Sequence, residues 1–168
     1  MPLRRLTPDD AEAFRALRLE ALRLAPAAYG TAFEEEAGKP LSWFGEALTR
    51  SDVFVAEGAS GCLSGMLAYR GDPMLKRRHI GHLWGMYVRQ EARGQGLGAA
   101  LLAACMAHAR PRVAVLQLMV GAANPDAIRL YERAGFRTYG TEADSLRVAG
   151  VTAATLLMAC RLDETKAG

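Results

Sequence analysis

The sequence predicts a mixed α/β domain built on a mostly antiparallel sheet, and two observations lead there. Between Val53 and Val88 three apolar runs follow one another, bounded by Gly, Ser, Asp and Pro, as consecutive antiparallel strands are. The last of them runs into a glycine-rich corner, an Ala/Leu helix and a further apolar strand, the signature of a parallel crossover. The 168 residues, 51% of them hydrophobic, supply one well-buried core, so residues 1–168 are expected to form a single domain.

The elements follow in order. Leu3 to Leu6 predict a short first strand, and Thr7-Pro8-Asp9-Asp10 a helix start, with a hydroxyl cap, proline at the first helical position and an acid three residues after the cap. Phe14, Leu17, Ala21 and Leu24 continue at helical spacing towards a stop near Pro26. Residues 27–39 lack a persistent period and are expected to be a loop, and Leu41, Phe44 and Leu48 mark a second short helix. Val53 to Val55, Cys62 to Tyr69 and Ile80 to Val88 are the antiparallel strands, with turns at Gly58 to Gly61 and Gly71 to Pro73. A helix to about Arg110, a strand from Val113 to Met119 and a helix opening at Asn124-Pro125 come next. Phe136 to Tyr139 and Ala153 to Cys160 read as a closing strand pair around a loop from Glu142 to Gly150, and Leu156, Leu157 and Met158 suit either a core or a dimer face.

Composition narrows the function classes. No stretch approaches the roughly 20 apolar residues of a spanning helix, and Met1 to Arg5 lead directly into a helix signal, so a soluble cytoplasmic protein without membrane partners is expected. The net charge of +3 is mild and the basic residues are scattered apart from Lys76-Arg77-Arg78, which argues against nucleic acid as partner. Cys62, Cys105 and Cys160 lie far apart among Leu, Met and Ala and read as small buried hydrophobes. His79 and His82 with Cys62 make no convincing metal set, so no metal is expected.

The most informative residues are Arg93-Gly94-Gln95-Gly96-Leu97-Gly98, between the strand ending at Val88 and the helix through Leu101 and Leu102. Such a corner aims unpaired amides and the positive end of a helix dipole at one point, which suits phosphate. A nucleotide-triphosphate loop would need Gly-Lys-Ser/Thr, but Ala99 and Ala100 follow here. A dinucleotide fingerprint can be forced onto Gly94, Gly96 and Ala99, yet the acid expected about 20 positions later is missing from Val115 to Val120.

The run Arg93 to Gly98 resembles the Arg/Gln-x-x-Gly-x-Gly/Ala pyrophosphate loop of the GNAT acetyltransferase superfamily. The run from Asn124 to Phe136, with Ala127, Leu130, Tyr131 and Gly135, is similar to a second signature of the same family. The resemblance spans nearly the whole chain. It implies a splayed, mostly antiparallel sheet of about six to seven strands flanked by about four helices. It further implies acetyl-CoA as donor, CoA as product, an amine as acceptor and a possible homodimer; the modest acceptor-side loop, with no docking segment, favours a small molecule over a protein or peptide amine. By the same resemblance, main-chain groups of Met86, Tyr87 and Val88 would hold the pantetheine arm, the amide near Met86 would polarise the thioester, and the loop residues Arg93, Gly94, Gln95, Gly96, Leu97 and Gly98 would hold the pyrophosphate. Asn124 is a helix cap, a cofactor contact, or both. Tyr131 is either a core tyrosine facing Phe136 or the proton donor to the departing thiolate.

Amine attack on a thioester needs a neutral nucleophile, stabilisation of the oxyanion and a protonated leaving thiol. The family often supplies a glutamate as base on the strand before the loop; this chain has His82 there. With an ordinary pKa of about 6.5, His82 is a competent base near neutrality, or else an inert packed histidine. Glu34, Glu35 and Glu36 would flank the acceptor pocket or form a solvated turn; Tyr29 and Phe33 would line that pocket or pack in the core; Glu57 is a further acid near a strand end. Two rivals stand beside the enzyme reading: a CoA-binding sensor without turnover and a nucleotide-dependent oxidoreductase.

Overall fold

The computed structural model describes residues 1–58 and 61–163, so residues 59 and 60 of the expected turn at Gly58 to Gly61 lie outside the described residues. β1 (Leu3–Arg5) leads through a 3-10 turn at Pro8–Asp10 into α1 (Ala11–Leu24). The Thr7 amide donates to the Asp10 carboxylate at 2.8 Å, the reciprocal arm of a capping box, and Pro8 sits where a missing amide costs nothing.

The segment expected to be a loop is more ordered than that. It holds a 3-10 turn at Pro26–Ala28 and the short helix α2 (Phe33–Ala37). Glu34, Glu35 and Glu36 occupy its first turn, where negative charge meets the positive helix end, and Glu36 is anchored to Arg18 of α1. With α3 (Leu41–Arg50), α4 (Leu97–Ala109) and α5 (Pro125–Arg133), the described residues form five α-helices where about four were expected.

The strands β2 (Asp52–Glu57), β3 (Leu63–Gly71), β4 (Ile80–Val88), β5 (Val115–Gly121), β6 (Arg137–Val148) and β7 (Val151–Arg161) join β1 in one sheet of order β1-β2-β3-β4-β5-β7-β6. Every neighbouring pair is antiparallel except β4 and β5, which are linked by the α4 crossover.

The closing pair corrects the expected loop from Glu142 to Gly150. β6 continues to Val148 and turns through Ala149 (φ +48°) and Gly150 (φ +79°), the left-handed pair a two-residue hairpin requires. β6 is an outer strand with most of its residues exposed, so Glu142 to Ser145 need no apolar alternation, and the pairing slips between Glu142 and Leu146.

Apolar side chains fill both faces of the sheet. Phe14, Leu17, Phe44, Val53, Val55 and Met66 pack beneath α1 and α3, while Leu67, Leu101, Leu102, Leu116, Phe136 and Met158 pack beneath α4 and α5. Cys105 and Cys160 are buried as expected, but Cys62, just before β3, is exposed. Among the described residues no helix is long and apolar enough to cross a membrane.

Candidate active site at the split between β4 and β5

The sheet opens at its one parallel junction. β4 and β5 pair only through Ile80 with Val115, Gly81 with Leu116 and His82 with Gln117. Beyond that point each strand keeps its outer neighbour, β4 pairing with β3 as far as Val88 and β5 with β7 as far as Gly121. A bulge marks the divergence: Trp84 faces Ala68 and Tyr87 faces Met66, so Gly85 and Met86 together oppose Leu67. Gly85 holds φ +71°, which favours glycine, and a bulge adds the local twist that carries β4 away from β5.

Alternation decides which main-chain groups face the opening. The Arg89 amide donates to Ser64 of β3 at 2.9 Å, which turns the groups of Val88 the other way; the Val88 carbonyl accepts from Arg93 Nε at 3.0 Å. The Met86 carbonyl accepts from the Tyr29 hydroxyl at 2.9 Å. Met86 and Val88 therefore front the gap, whereas Tyr87 pairs with β3 and reaches Glu20 with its hydroxyl at 3.0 Å. Of the three residues expected to offer main-chain groups to a bound arm, Met86 and Val88 face the gap and Tyr87 faces β3.

At the far end of β4, Gly94 and Gly96 both hold φ +75°, and a Cβ added at either would meet no protein atom within 4 Å. The first ladder bond of α4 runs from the Ala100 amide to the Gly96 carbonyl at 3.0 Å, so the amides at the start of the helix precede the ladder. Gln95 donates through Nε2 to the Glu91 carbonyl at 3.2 Å, which ties the loop to the turn before it. Open space above positive-φ glycines and a 13-residue helix beginning there are the requirements for a polyanion seat.

A cavity of about 590 Å³ occupies the split. Its walls include His82 to Gly85 of β4 and Gln117 to Gly121 of β5, consecutive residues from both faces of each strand, so it penetrates the gap. Tyr29, Arg18 and Glu36, with Tyr139, Ser145 and Leu146 of β6, complete the lining. His82 is therefore at the cavity, its Nε2 2.9 Å from an oxygen of Asp72.

Of the three consecutive acids, Glu36 turns inward, bound by Arg18 Nε at 3.0 Å and Nη2 at 2.8 Å, while Glu34 and Glu35 are exposed. Phe33, Glu34 and Glu35 do not line the cavity, and Glu57 pairs with Arg4. The Arg18 guanidinium lies over the rings of Tyr29 and Trp84, 5.4 and 5.5 Å from their centroids, so one buried ion pair braces two walls. Arg18 and Asp72 were missed by sequence reasoning. Arg18 falls on the buried stripe of α1 next to Leu17, Ala21 and Leu22, and a charged residue on such a stripe is the signal that could have found it.

Asn124 caps α5, its Oδ1 accepting from the Ala127 amide at 3.1 Å. Tyr131 packs edge-on to Phe136 with centroids 5.9 Å apart. It lies on the α4 and α5 side of the sheet, buried, and does not line the cavity. Burial raises its phenol well above the usual value, so it stays protonated at neutral pH, and among the described residues its hydroxyl has no hydrogen-bond partner.

A strand split that exposes main chain and ends at open positive-φ glycines suits a long linear group with a charged tail. Residues 14–136 match the family model described as the acetyltransferase (GNAT) family, and the chain belongs to that family. No curated protein matches the chain. Among solved structures, the acetyltransferase of GNAT family from Streptococcus pneumoniae is 21% identical, with TM-score 0.83 over 95% of this chain and 98% of that one. Ribosomal-protein-alanine N-acetyltransferase from Brucella melitensis is 28% identical, with TM-score 0.78 over 96% and 99%. A GNAT superfamily phosphinothricin acetyltransferase from Sinorhizobium meliloti, in complex with acetyl-CoA, is 22% identical, with TM-score 0.81 over 99% and 91%. The chain is an acetyltransferase of that family, and the Sinorhizobium enzyme of the same fold holds acetyl-CoA. The open glycine loop and the gap fronted by Met86 and Val88 fit that donor: the loop amides suit its pyrophosphate, and the split suits its extended arm.

Proposed function

We propose that this chain transfers the acetyl group of acetyl-CoA directly to the primary amine of a small molecule bound in the cavity at the strand split. The observation that carries this reading is the cavity itself. Its volume of about 590 Å³ falls in the usual small-molecule range of about 300–1,000 Å³, and it opens into the gap between β4 and β5 beside His82.

The thioester supplies the activated acetyl group, and the chain's residues orient it and move protons. The Met86 amide, at the bulge, donates to the thioester carbonyl oxygen, where negative charge grows as the amine attacks. His82 accepts a proton from the bound ammonium through a water. The carbon–nitrogen bond forms as the carbon–sulfur bond breaks. Of the two protons the ammonium loses, one leaves through His82 to solvent. The second is balanced by the proton that Tyr131 delivers to the departing sulfur, Tyr131 being reprotonated from water. The buried Tyr131 phenol is held neutral, so it is available as the hydrogen-bond donor to that sulfur.

A protein N-terminal amine is the second reading, and the likeness to ribosomal-protein-alanine N-acetyltransferase is what favours it. Thiol release from acetyl-CoA, measured over a panel of small primary amines beside peptides with a free N-terminal alanine, separates the two. Faster turnover with small amines is the expected result; turnover confined to peptides overturns the small-molecule assignment.

A further inference from the structure

The connection from β3 to β4 holds one carboxylate unusually firmly. An Asp72 oxygen accepts from Arg77 Nε at 2.9 Å and lies 2.9 Å from His82 Nε2, while its other oxygen accepts from the Met74 amide at 3.0 Å. The Asp72 amide in turn donates to the Ile80 carbonyl at 2.9 Å, so main chain and side chain are both fixed. The side chain is 8% exposed, against 29% for His82.

We infer that Asp72 is a positioning residue for His82: its carboxylate holds the proton on Nε2 and thereby leaves the lone pair on Nδ1, the nitrogen that acts on the acceptor amine. This rests on the reading of His82 as the base. An ionised carboxylate only accepts hydrogen bonds, so its contact with Nε2 requires a proton on that nitrogen, and a neutral imidazole then carries its lone pair on the other. Hydrogen bonds from His82 and Arg77 hold the Asp72 carboxyl far below the usual carboxylate range, which keeps it ionised throughout the working pH. Among the described residues Nδ1 has no hydrogen-bond partner and is not one of the buried atoms lacking one, so it is accessible, and His82 is one of the residues lining the cavity.

The charged groups around His82 are few. Asp72 and Arg77 belong to the connection, Arg70 stands opposite on β3, Gln117 opposite on β5 is neutral, and the Arg18 and Glu36 charges across the cavity are paired with each other. Asp72 is the carboxylate that touches the ring.

Two measurements test this. In wild type, the ¹⁵N and ¹³C shifts of the His82 ring above its titration should report the Nε2–H tautomer; the Nδ1–H tautomer, or an even mixture, overturns the inference. Asp72→Ala should lower kcat/KM by about 10- to 100-fold and release the His82 ring to a mixture of the two neutral tautomers, since the acceptor that holds the proton on Nε2 is lost. A variant whose rate falls while the ring keeps the Nε2–H tautomer assigns Asp72 a purely structural part and also overturns the inference. Failure of the base reading is distinguishable, because it appears as an unchanged rate and pH profile in His82→Gln, whatever the tautomer.

Discussion

Removing the Glu36 carboxylate should be the most costly single change in the walls of the cavity. Arg18 and Glu36 are 6% and 8% exposed at their side chains and joined by two hydrogen bonds of 3.0 and 2.8 Å. In Glu36→Ala the guanidinium stays buried, pressed against Tyr29 and Trp84, with its charge uncompensated. Breaking one partner of such a pair costs about 3–5 kcal/mol. For a chain of this length each kcal/mol moves Tm by about 2–4 °C, so a fall of about 6–20 °C is expected in calorimetry or a thermal scan. Glu35→Ala, one residue earlier and exposed, serves as the control and should stay within about 0.5 kcal/mol of wild type. If Glu36→Ala melts within a couple of degrees of that control, the pair does not brace the cavity as described.

Three further outcomes follow from particular contacts. Tyr131→Phe should reduce kcat by about 100-fold with acetyl-CoA affinity unchanged by calorimetry; full activity would remove Tyr131 from the chemistry. The Asp10 carboxyl is held at about 2, below its ordinary 3.8, chiefly by hydrogen bonds from Arg4. Its contribution to stability is therefore present above about pH 3.8 and lost as the pH falls towards 2, so Asp10→Asn should flatten the decline of Tm across that window. Cys62 is exposed while Cys105 and Cys160 are buried, and burial pushes the Cys105 thiol up; a thiol reagent should label Cys62 in the native protein and all three cysteines only after denaturation.

What was legible in the sequence was carried by local signals. The apolar runs of β2, β3 and β4, the glycines ahead of α4 and the Asn124-Pro125 start of α5 each declare themselves within a few residues, and each stands where expected. The parts that escaped depend on tertiary context. β6 runs on through polar residues because an outer strand need bury little, and hydropathy therefore sees a loop. Three consecutive glutamates look alike in sequence, and only the orientation of α2 against α1 turns Glu36 inward and leaves Glu34 and Glu35 in water. Asp72 follows Gly71 in what reads as an ordinary turn, and its partner is ten residues away across the β3–β4 connection. Tyr87 turns its main-chain groups to β3 because consecutive residues of a strand alternate, and which of Met86, Tyr87 and Val88 face the gap depends on the register with β3, which no residue pattern announces.

The central claim is direct transfer, with acetyl-CoA and the amine held together at the strand split. Initial rates of thiol release, with acetyl-CoA and the best amine of the panel varied against each other, test it most directly. Intersecting double-reciprocal lines are predicted, since both substrates must be bound before the acetyl group moves. Parallel lines, the mark of an acetylated enzyme intermediate, would contradict the account.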